Sequence, residues 1–256
     1  MKLEANPFTQ ALKDGQKQVG LWVSLSNNFA AEVISTAGFD WVLLDMEHSP
    51  NELNSLLGQL QTFASSSTTA IVRPDWNDSV KVKRLLDLGA EGLLFPMIQS
   101  VEEAESAVSA TRYPPRGIRG VSTSTRANAF GRKTDYFERI EDETTVIVQI
   151  ETRVALERAE EIAAVDGVSA VFFGPADIAA DIGLLGKPGN SDVWDLIWPV
   201  AEKLIQQGVV VGTLVFDPKF AAELFNRGFT FVACGSDTSL LARGADNLLA
   251  TVKNQI

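Results

Sequence analysis

Apolar residues gather in eight short runs: Val19–Ser24, Trp41–Asp45, Ala70–Arg73, Gly92–Phe95, Thr145–Ile150, Ala170–Phe173, Val209–Val215 and Thr230–Ala233. Most lack strict alternation of apolar and polar residues, as expected of strands buried on both faces of a parallel sheet. Helix signals lie between them. Asn51 is placed to cap a helix opening at Glu52-Leu53-Asn54. Asp78 or Ser79 caps a run to Leu88, which Gly89 stops. Ser100-Val101-Glu102-Glu103 has capping-box spacing. Eight strands alternating with helices along 256 residues predict an α/β fold, a (β/α)8 (TIM) barrel spanning residues 1–256 as a single domain. The alternative for any β/α alternation is a doubly wound open sheet. No Gly-x-Gly-x-x-Gly follows the first run to support it.

The longest gap, Pro96 to Thr144, is expected to hold one helix and then an Arg/Gly/Ser-rich stretch. That stretch, Arg112 to Arg132, carries five arginines in 21 residues. It reads as a loop over the active face, or else as a solvated basic loop. Ser65–Thr69 reads as a helix-to-strand loop.

Composition narrows the chemistry. One cysteine and one histidine exclude an internal disulfide, cysteine-based zinc sites and any two-histidine metal motif. A net charge of −11 argues against nucleic acid or an anionic membrane as partner. No apolar run is long enough to span a bilayer, and Met1–Asn6 lacks a signal-peptide core. The expectation is a soluble cytoplasmic protein.

In a barrel, chemistry sits at the C-terminal ends of the strands. Strand two ends in Asp45-Met46-Glu47-His48, strand three in Arg73-Pro74, strand five in Gln149-Ile150-Glu151, and strand six in Gly174-Pro175-Ala176-Asp177. Gln149 and Glu151 share parity with Ile147, so both can face the barrel mouth. Glu151 and Asp177 form a candidate pair for a hard dication, Mg²⁺ or Mn²⁺, with Co²⁺ also possible. Each is alternatively an acid in the first turn of a helix. Arg73, held extended before Pro74, can bind a carboxylate or a developing enolate, or simply pair with a loop acid. His48 can act as a general base, or make only a surface contact. The Gly174–Asp177 turn offers N–H groups to a substrate carboxylate, unless it is only a tight turn. Gly235-Ser236-Asp237 could cradle a phosphate or form an ordinary turn. No lysine lies at a strand's C-terminal end, so imine-forming chemistry is not expected.

Leu43–Asn51, Val72-Arg73-Pro74, Gln149–Thr152 and Phe173–Asp177 together resemble the HpcH/HpaI family of metal-dependent pyruvate aldolases. Arg116–Val121 and Phe231–Thr238 extend the likeness over nearly the whole chain. The resemblance implies reversible aldol cleavage of a 4-hydroxy-2-oxo acid to pyruvate and an aldehyde, through a metal-bound enolate. It implies Glu151 and Asp177 as metal ligands and Arg73 as the group stabilising the enolate. Gln149 would lie beside the pyruvate. His48 and Asp87 would form a base dyad, reached across a subunit contact. The Ala176 and Asp177 N–H groups would hold the pyruvate carboxylate. Trp22, Val121, Phe172 and Leu214 would border the pocket, with Gly174 and Pro175. It also implies a homohexamer, a dimer of trimers, exchanging the C-terminal helix at Leu240–Val252. Met46 and Ser122–Thr125 depart from the family pattern, and both are expected near the entrance. The alternatives are a CoA-ester lyase of the citrate/malyl type, whose nucleotide the Arg112–Arg132 loop would hold, and a phosphate-binding barrel isomerase. A barrel with a degraded, non-catalytic site is a third.

Overall fold

The computed structural model describes all residues, 1–256. Eight parallel strands close in sequence order into a barrel. They are β1 (Gln18–Val23), β2 (Trp41–Asp45), β3 (Thr69–Arg73), β4 (Gly92–Phe95), β5 (Thr145–Ile150), β6 (Ala170–Phe173), β7 (Val211–Val215) and β8 (Phe231–Ser236). Helix α1 (Pro7–Lys13) precedes β1, and α2 (Asn28–Ser35), α3 (Leu53–Phe63) and α4 (Ser79–Asp87) follow β1, β2 and β3. Two helices follow β4: α5 (Val101–Thr111) and α6 (Tyr136–Glu143). Two short ones follow β5: α7 (Arg153–Glu157) and α8 (Ala159–Ala163). The rest are α9 (Pro175–Asp181), α10 (Ser191–Gln206), α11 (Pro218–Asn226) and α12 (Asp237–Lys253).

Side-chain parity divides the core in two. Trp22, Trp41, Leu43, Ile71, Leu94, Ile147, Phe172 and Phe231 fill the barrel lumen. Their neighbours Leu21, Val23, Val42, Leu44, Val72, Val146, Val148, Val171 and Phe173 face the helices. Burial on both faces explains why the strands read as unbroken apolar runs. The same parity sends Asp45, Arg73 and Gln149 inward at the C-terminal mouth, and Asp45 and Arg73 are register partners on β2 and β3.

The other end of the lumen is plugged by α1, which the apolar runs do not announce. Asn6 caps it, accepting from the N–H groups of Phe8 and Thr9, and its amide donates to the carbonyls of Glu91 and Glu143. Phe8 meets Phe231 edge-on at 5.8 Å and Trp41 at 5.6 Å. Such aromatic pairs add to area burial.

Several local expectations are corrected. Glu52, not Asn51, is the N-cap of α3. Asn51 turns inward, donates to the Asp45 carbonyl at 2.7 Å and accepts from Gln59 at 2.6 Å. Ser100 caps α5, but Glu103 bonds the N–H of Gln99 and not that of Ser100, so the box is half made. The Pro96–Thr144 gap holds two helices.

The arginine-rich stretch does not cover the active face. It begins where α5 ends, at the opposite end of the barrel, and its cations are spent there. Arg112 pairs with Asp166 and Glu141, and Arg116 with Glu141. Arg119 binds Asp87 and the Tyr136 hydroxyl. Arg126 donates to the carbonyls of Leu88 and Leu60 at the ends of α4 and α3. Ser122–Thr125 belongs to this loop, where Thr123 and Thr125 bond Asn128, away from the mouth. Met46 packs against the helix-side core and does not line the cavity at the mouth.

The lumen has no spare room at its base. A Cβ on Gly20 would fall within the indole of Trp41. Gly20→Ala is expected to destabilise the protein by about 1–3 kcal/mol through overpacking, read as a lower urea midpoint. An unchanged midpoint would show that Trp41 can move aside.

Candidate active site

A cavity of about 370 Å³ opens at the C-terminal mouth. Trp22, His48, Arg73, Gln149, Phe172, Gly174, Pro175, Ala176, Asp177 and Leu214 line it, so ten of the residues singled out from sequence meet there. Glu151 lies behind this wall, against Gly174 and Gln149. Pro188, Gly189, Trp194, Phe216, Asp217 and Phe220 complete the outer wall. These come from the loops after α9 and β7 and from the starts of α10 and α11, and no motif marks them in the sequence.

Arg73 is held from several directions. Its Nε and Nη2 donate to the two oxygens of Asp45 at 2.9 and 2.8 Å. Its Nη1 lies 2.9 Å from Glu47, and its guanidinium stacks 5.0 Å from the Trp22 ring. The indole of Trp22 donates to Asp45 at 3.3 Å. Burial opposes the charge on Asp45. The hydrogen bond and charge of Arg73, with the N–H groups of Glu47 and His48, outweigh it and hold the carboxyl below its ordinary value. A fork this fixed leaves the second N–H of each Nη for a ligand. The orienting role of Asp45 was not read from the sequence. Its parity with Leu43, opposite Arg73 on the next strand, was the available signal.

Glu151 is buried, with 2% of its surface exposed. Its Oε1 accepts from the Gln149 amide at 2.6 Å, and its Oε2 from the N–H of Met97 at 2.8 Å. Met97 reaches it from the loop after β4 with φ of +54°. This left-handed conformation is uncommon for a residue other than glycine, and such strain concentrates at functional sites. Burial pushes the Glu151 carboxyl up to about 8; the Met97 bond opposes this, and the charges of Asp177 and Glu47 add to it. Burial also raises Glu47, against the pull of Arg73 and His48. Gly174 has no side chain because Glu151 occupies the space: a Cβ there would lie 2.6 Å from Oε1.

This donor set fits a hard dication. Two carboxylates face one another, Glu151 after β5 and Asp177 after β6, and the charge of Asp177 disfavours ionisation of Glu151. The buried carbonyl oxygen of Gln149 has no donor. No third His, Cys, Asp or Glu completes an all-protein cage. Water and substrate oxygens would therefore fill the remaining positions, as is usual for Mg²⁺.

Two predicted residues lie elsewhere. Asp87 ends α4 at the far end of the barrel and is paired with Arg119 at 2.9 Å. Val121, 62% exposed, sits in the arginine-rich loop. Neither lines the cavity of its own chain. His48 is at the mouth, its Nε2 3.8 Å from Glu47. The phosphate cradle is not formed. Ser236 caps α12, and the buried Asp237 carboxylate itself takes the N–H groups of Ser24 and Leu25 at 2.9 and 3.1 Å. No lysine lines the cavity.

Fold and site together define a parallel barrel with an acidic, oxygen-rich centre and one clamped arginine at its C-terminal mouth. Residues 18–244 match the family model described as HpcH/HpaI aldolase/citrate lyase. The chain belongs to that family. It is 46% identical over 246 residues to a 4-hydroxy-2-oxo-heptane-1,7-dioate aldolase of Salmonella dublin, covering 96% of this chain and 94% of that one. It is 47% identical over 250 residues to a pyruvate aldolase of Rhizobium etli, covering 98% of each. A crystal structure of an HpcH/HpaI aldolase/citrate lyase family protein from Burkholderia cenocepacia J2315 superposes with a TM-score of 0.93. Identity there is 37%, over 97% of this chain and all of that one.

The buried Glu151 generates a pH signature. Its folded-state carboxyl titrates near 8, against about 4.3 in an unfolded chain. Between these values the unfolded state has released the proton and the native state keeps it, so metal-free stability falls as pH rises from about 5 to 8. Glu151→Gln is expected to flatten that fall in urea titrations with EDTA. Parallel wild-type and variant curves would refute the buried-acid account. Gly174→Ala is expected to displace Glu151 and weaken Mn²⁺ binding by about tenfold or more, read by calorimetry.

Proposed function

We propose that the chain is a pyruvate aldolase, reversibly cleaving a 4-hydroxy-2-oxo acid to pyruvate and an aldehyde. The observation that carries this reading is the convergence of Glu151, Asp177 and Arg73 at one barrel mouth in a member of this family. Glu151 and Asp177 would hold a Mg²⁺ or Mn²⁺ ion, which supplies Lewis-acid polarisation of the 2-oxo group when bound. The carboxylate of the substrate lies against the free N–H groups of Ala176 and Asp177, at the start of α9, which no side chain caps. The second N–H groups of Arg73 face the 2-oxo oxygen, with Gln149 beside it. As the C3–C4 bond breaks, its electrons move toward C2 and charge develops on that oxygen, where Arg73 stabilises it. His48 takes the proton of the 4-hydroxyl, C4 becomes the aldehyde carbon, and protonation at C3 completes pyruvate. Trp22, Phe172 and Leu214 exclude water from this step.

Asp87 and Val121 would serve the site of a neighbouring copy. The apolar surface of α12, with Leu240, Leu241, Leu248, Leu249 and Val252 all exposed, supports a hexamer in which this helix docks on another subunit. No helix is long and apolar enough to cross a membrane. A single cysteine with no disulfide partner suits the reducing cytoplasm.

The CoA-ester lyase alternative gains no support from the cavity of a single chain, because the arginines that would hold a nucleotide are paired at the far end of their own barrel. The isomerase alternative gains no support, because the Ser236 N–H and hydroxyl are used in the capping box with Ser239.

Pyruvate in D₂O with enzyme and Mn²⁺ is expected to lose its methyl proton signal, and EDTA to stop that loss. Arg73→Ala is expected to slow exchange by about 100-fold or more while Mn²⁺ binding, read by calorimetry, stays within a few-fold. Exchange that ignores both EDTA and Arg73→Ala would overturn the assignment.

A further inference from the structure

The turn that carries His48 is held from behind by a side chain that does not line the cavity. Asp45 is fixed on its inward face, where its carboxylate engages Arg73. The N–H of Met46 donates to the Arg73 carbonyl at 2.9 Å and extends the β2–β3 ladder by one residue. The ladder ends there. Glu47, His48 and Ser49 lie beyond it, in the turn that leads to α3.

That turn closes on the Asp45 carbonyl. The oxygen accepts the Ser49 hydroxyl at 2.5 Å and the Asn51 amide at 2.7 Å, so both of its lone pairs are used. The Asn51 amide is itself oriented. Its oxygen accepts from Nε2 of Gln59, on α3, at 2.6 Å, so its nitrogen is left to face Asp45. Asn51 is 5% exposed and Gln59 fully buried, so a neighbouring copy neither supplies nor replaces these contacts. Gln59 is kept against a penalty. Its own Oε1 is buried with no donor, an arrangement that native interiors avoid. A methionine would fill that space with no acceptor to satisfy. The retained amide supplies the donor that orients Asn51.

We propose that Asn51, oriented by Gln59, is a positioning residue for His48: it fixes the turn from Asp45 to Ser49 and so where the imidazole stands over the 4-hydroxyl of the substrate. The inference rests on the pyruvate-aldolase reading, with His48 as the base. The ring reaches only as far as its backbone allows, and a displacement of about 1 Å in a reacting group is enough to slow a reaction strongly. Glu151, Asp177 and Gln149 stand on or after β5 and β6, so metal and pyruvate binding do not depend on this turn.

The test uses the full-length, Mn²⁺-loaded protein and 4-hydroxy-2-oxopentanoate, which carries the reacting groups and little else. Asn51→Asp keeps the size and the Gln59 bond but cannot donate to Asp45. It is expected to lower kcat at least about tenfold. KM, and the Mn²⁺ affinity read by calorimetry, are expected to stay within about threefold. A merely structural role would weaken all three together. Gln59→Met covers the case in which Asn51→Asp does not fold. It is expected to lower kcat at least about threefold while the urea midpoint moves little, because the orphaned acceptor goes with the amide. His48→Ala supplies the background that decides. If Asn51 and Gln59 act through His48, neither substitution lowers the residual rate further there. A loss that persists in His48→Ala, wild-type kcat in both variants, or undiminished cleavage by His48→Ala overturns the proposal. Methyl exchange of pyruvate separates the two levels. Exchange together with any of those outcomes removes only this inference; no exchange with metal bound removes the aldolase reading and this inference with it.

Discussion

A carboxylate with 2% of its surface exposed, placed beside two others, is the constraint around which the mouth of this barrel is arranged. Burying Glu151 is unfavourable unless its oxygens are met. The chain meets them with the Gln149 amide and the N–H of Met97, the latter at the cost of a left-handed backbone. Gly174 leaves the space the carboxylate occupies. Three separate strand ends are thereby fixed relative to one another by one side chain. Arg73 offsets only part of this cluster's charge, because its guanidinium is shared between Glu47 and Asp45. With Asp45 and Asp177 also close by, ionised carboxylates outnumber the single guanidinium, an excess of negative charge that a dication would relieve.

The lower half of the barrel exists to keep that arrangement still. Aromatic and branched residues fill the lumen from Phe8 to Phe172, with no glycine to spare where Trp41 lies against Gly20. Interiors this dense transmit position rather than absorb it. The functional side chains Asp45, Arg73 and Gln149 continue the inward parity of Leu43, Ile71 and Ile147. Their aim is set by the packing beneath them.

The strands were legible in the sequence because double-sided burial writes a simple code of short apolar runs. The polar residues that terminate four of those runs marked the mouth, since a closed parallel barrel brings the C-terminal ends of its strands together. Features that depend on which end of a helix a loop leaves were not legible. The arginines of 112–132 look the same in sequence whether they line a substrate site or tie α3, α4 and α5 together at the opposite end. Asn51 has the composition of a cap, but the Asp45 carbonyl and Gln59 compete for it and win. Asp237 stood in a Gly-Ser-Asp string suited to phosphate, and only the structure shows its carboxylate taking the N–H groups of Ser24 and Leu25 while Ser236 caps α12. The α1 plug was missed because seven residues with two large apolar side chains leave no periodic trace.

That bond from Asp237 to Ser24 joins residues 213 apart in the chain, at the seam where the last strand meets the first. Ribosomes add about 5–20 residues per second. The first strand therefore waits on the order of 10 to 40 s before the group that fastens its end has been synthesised. Throughout that interval β1 presents an unpaired edge, the kind of surface on which nascent chains associate wrongly. Closure of the ring has to wait for β8, and the reaction chamber at its mouth takes shape only then.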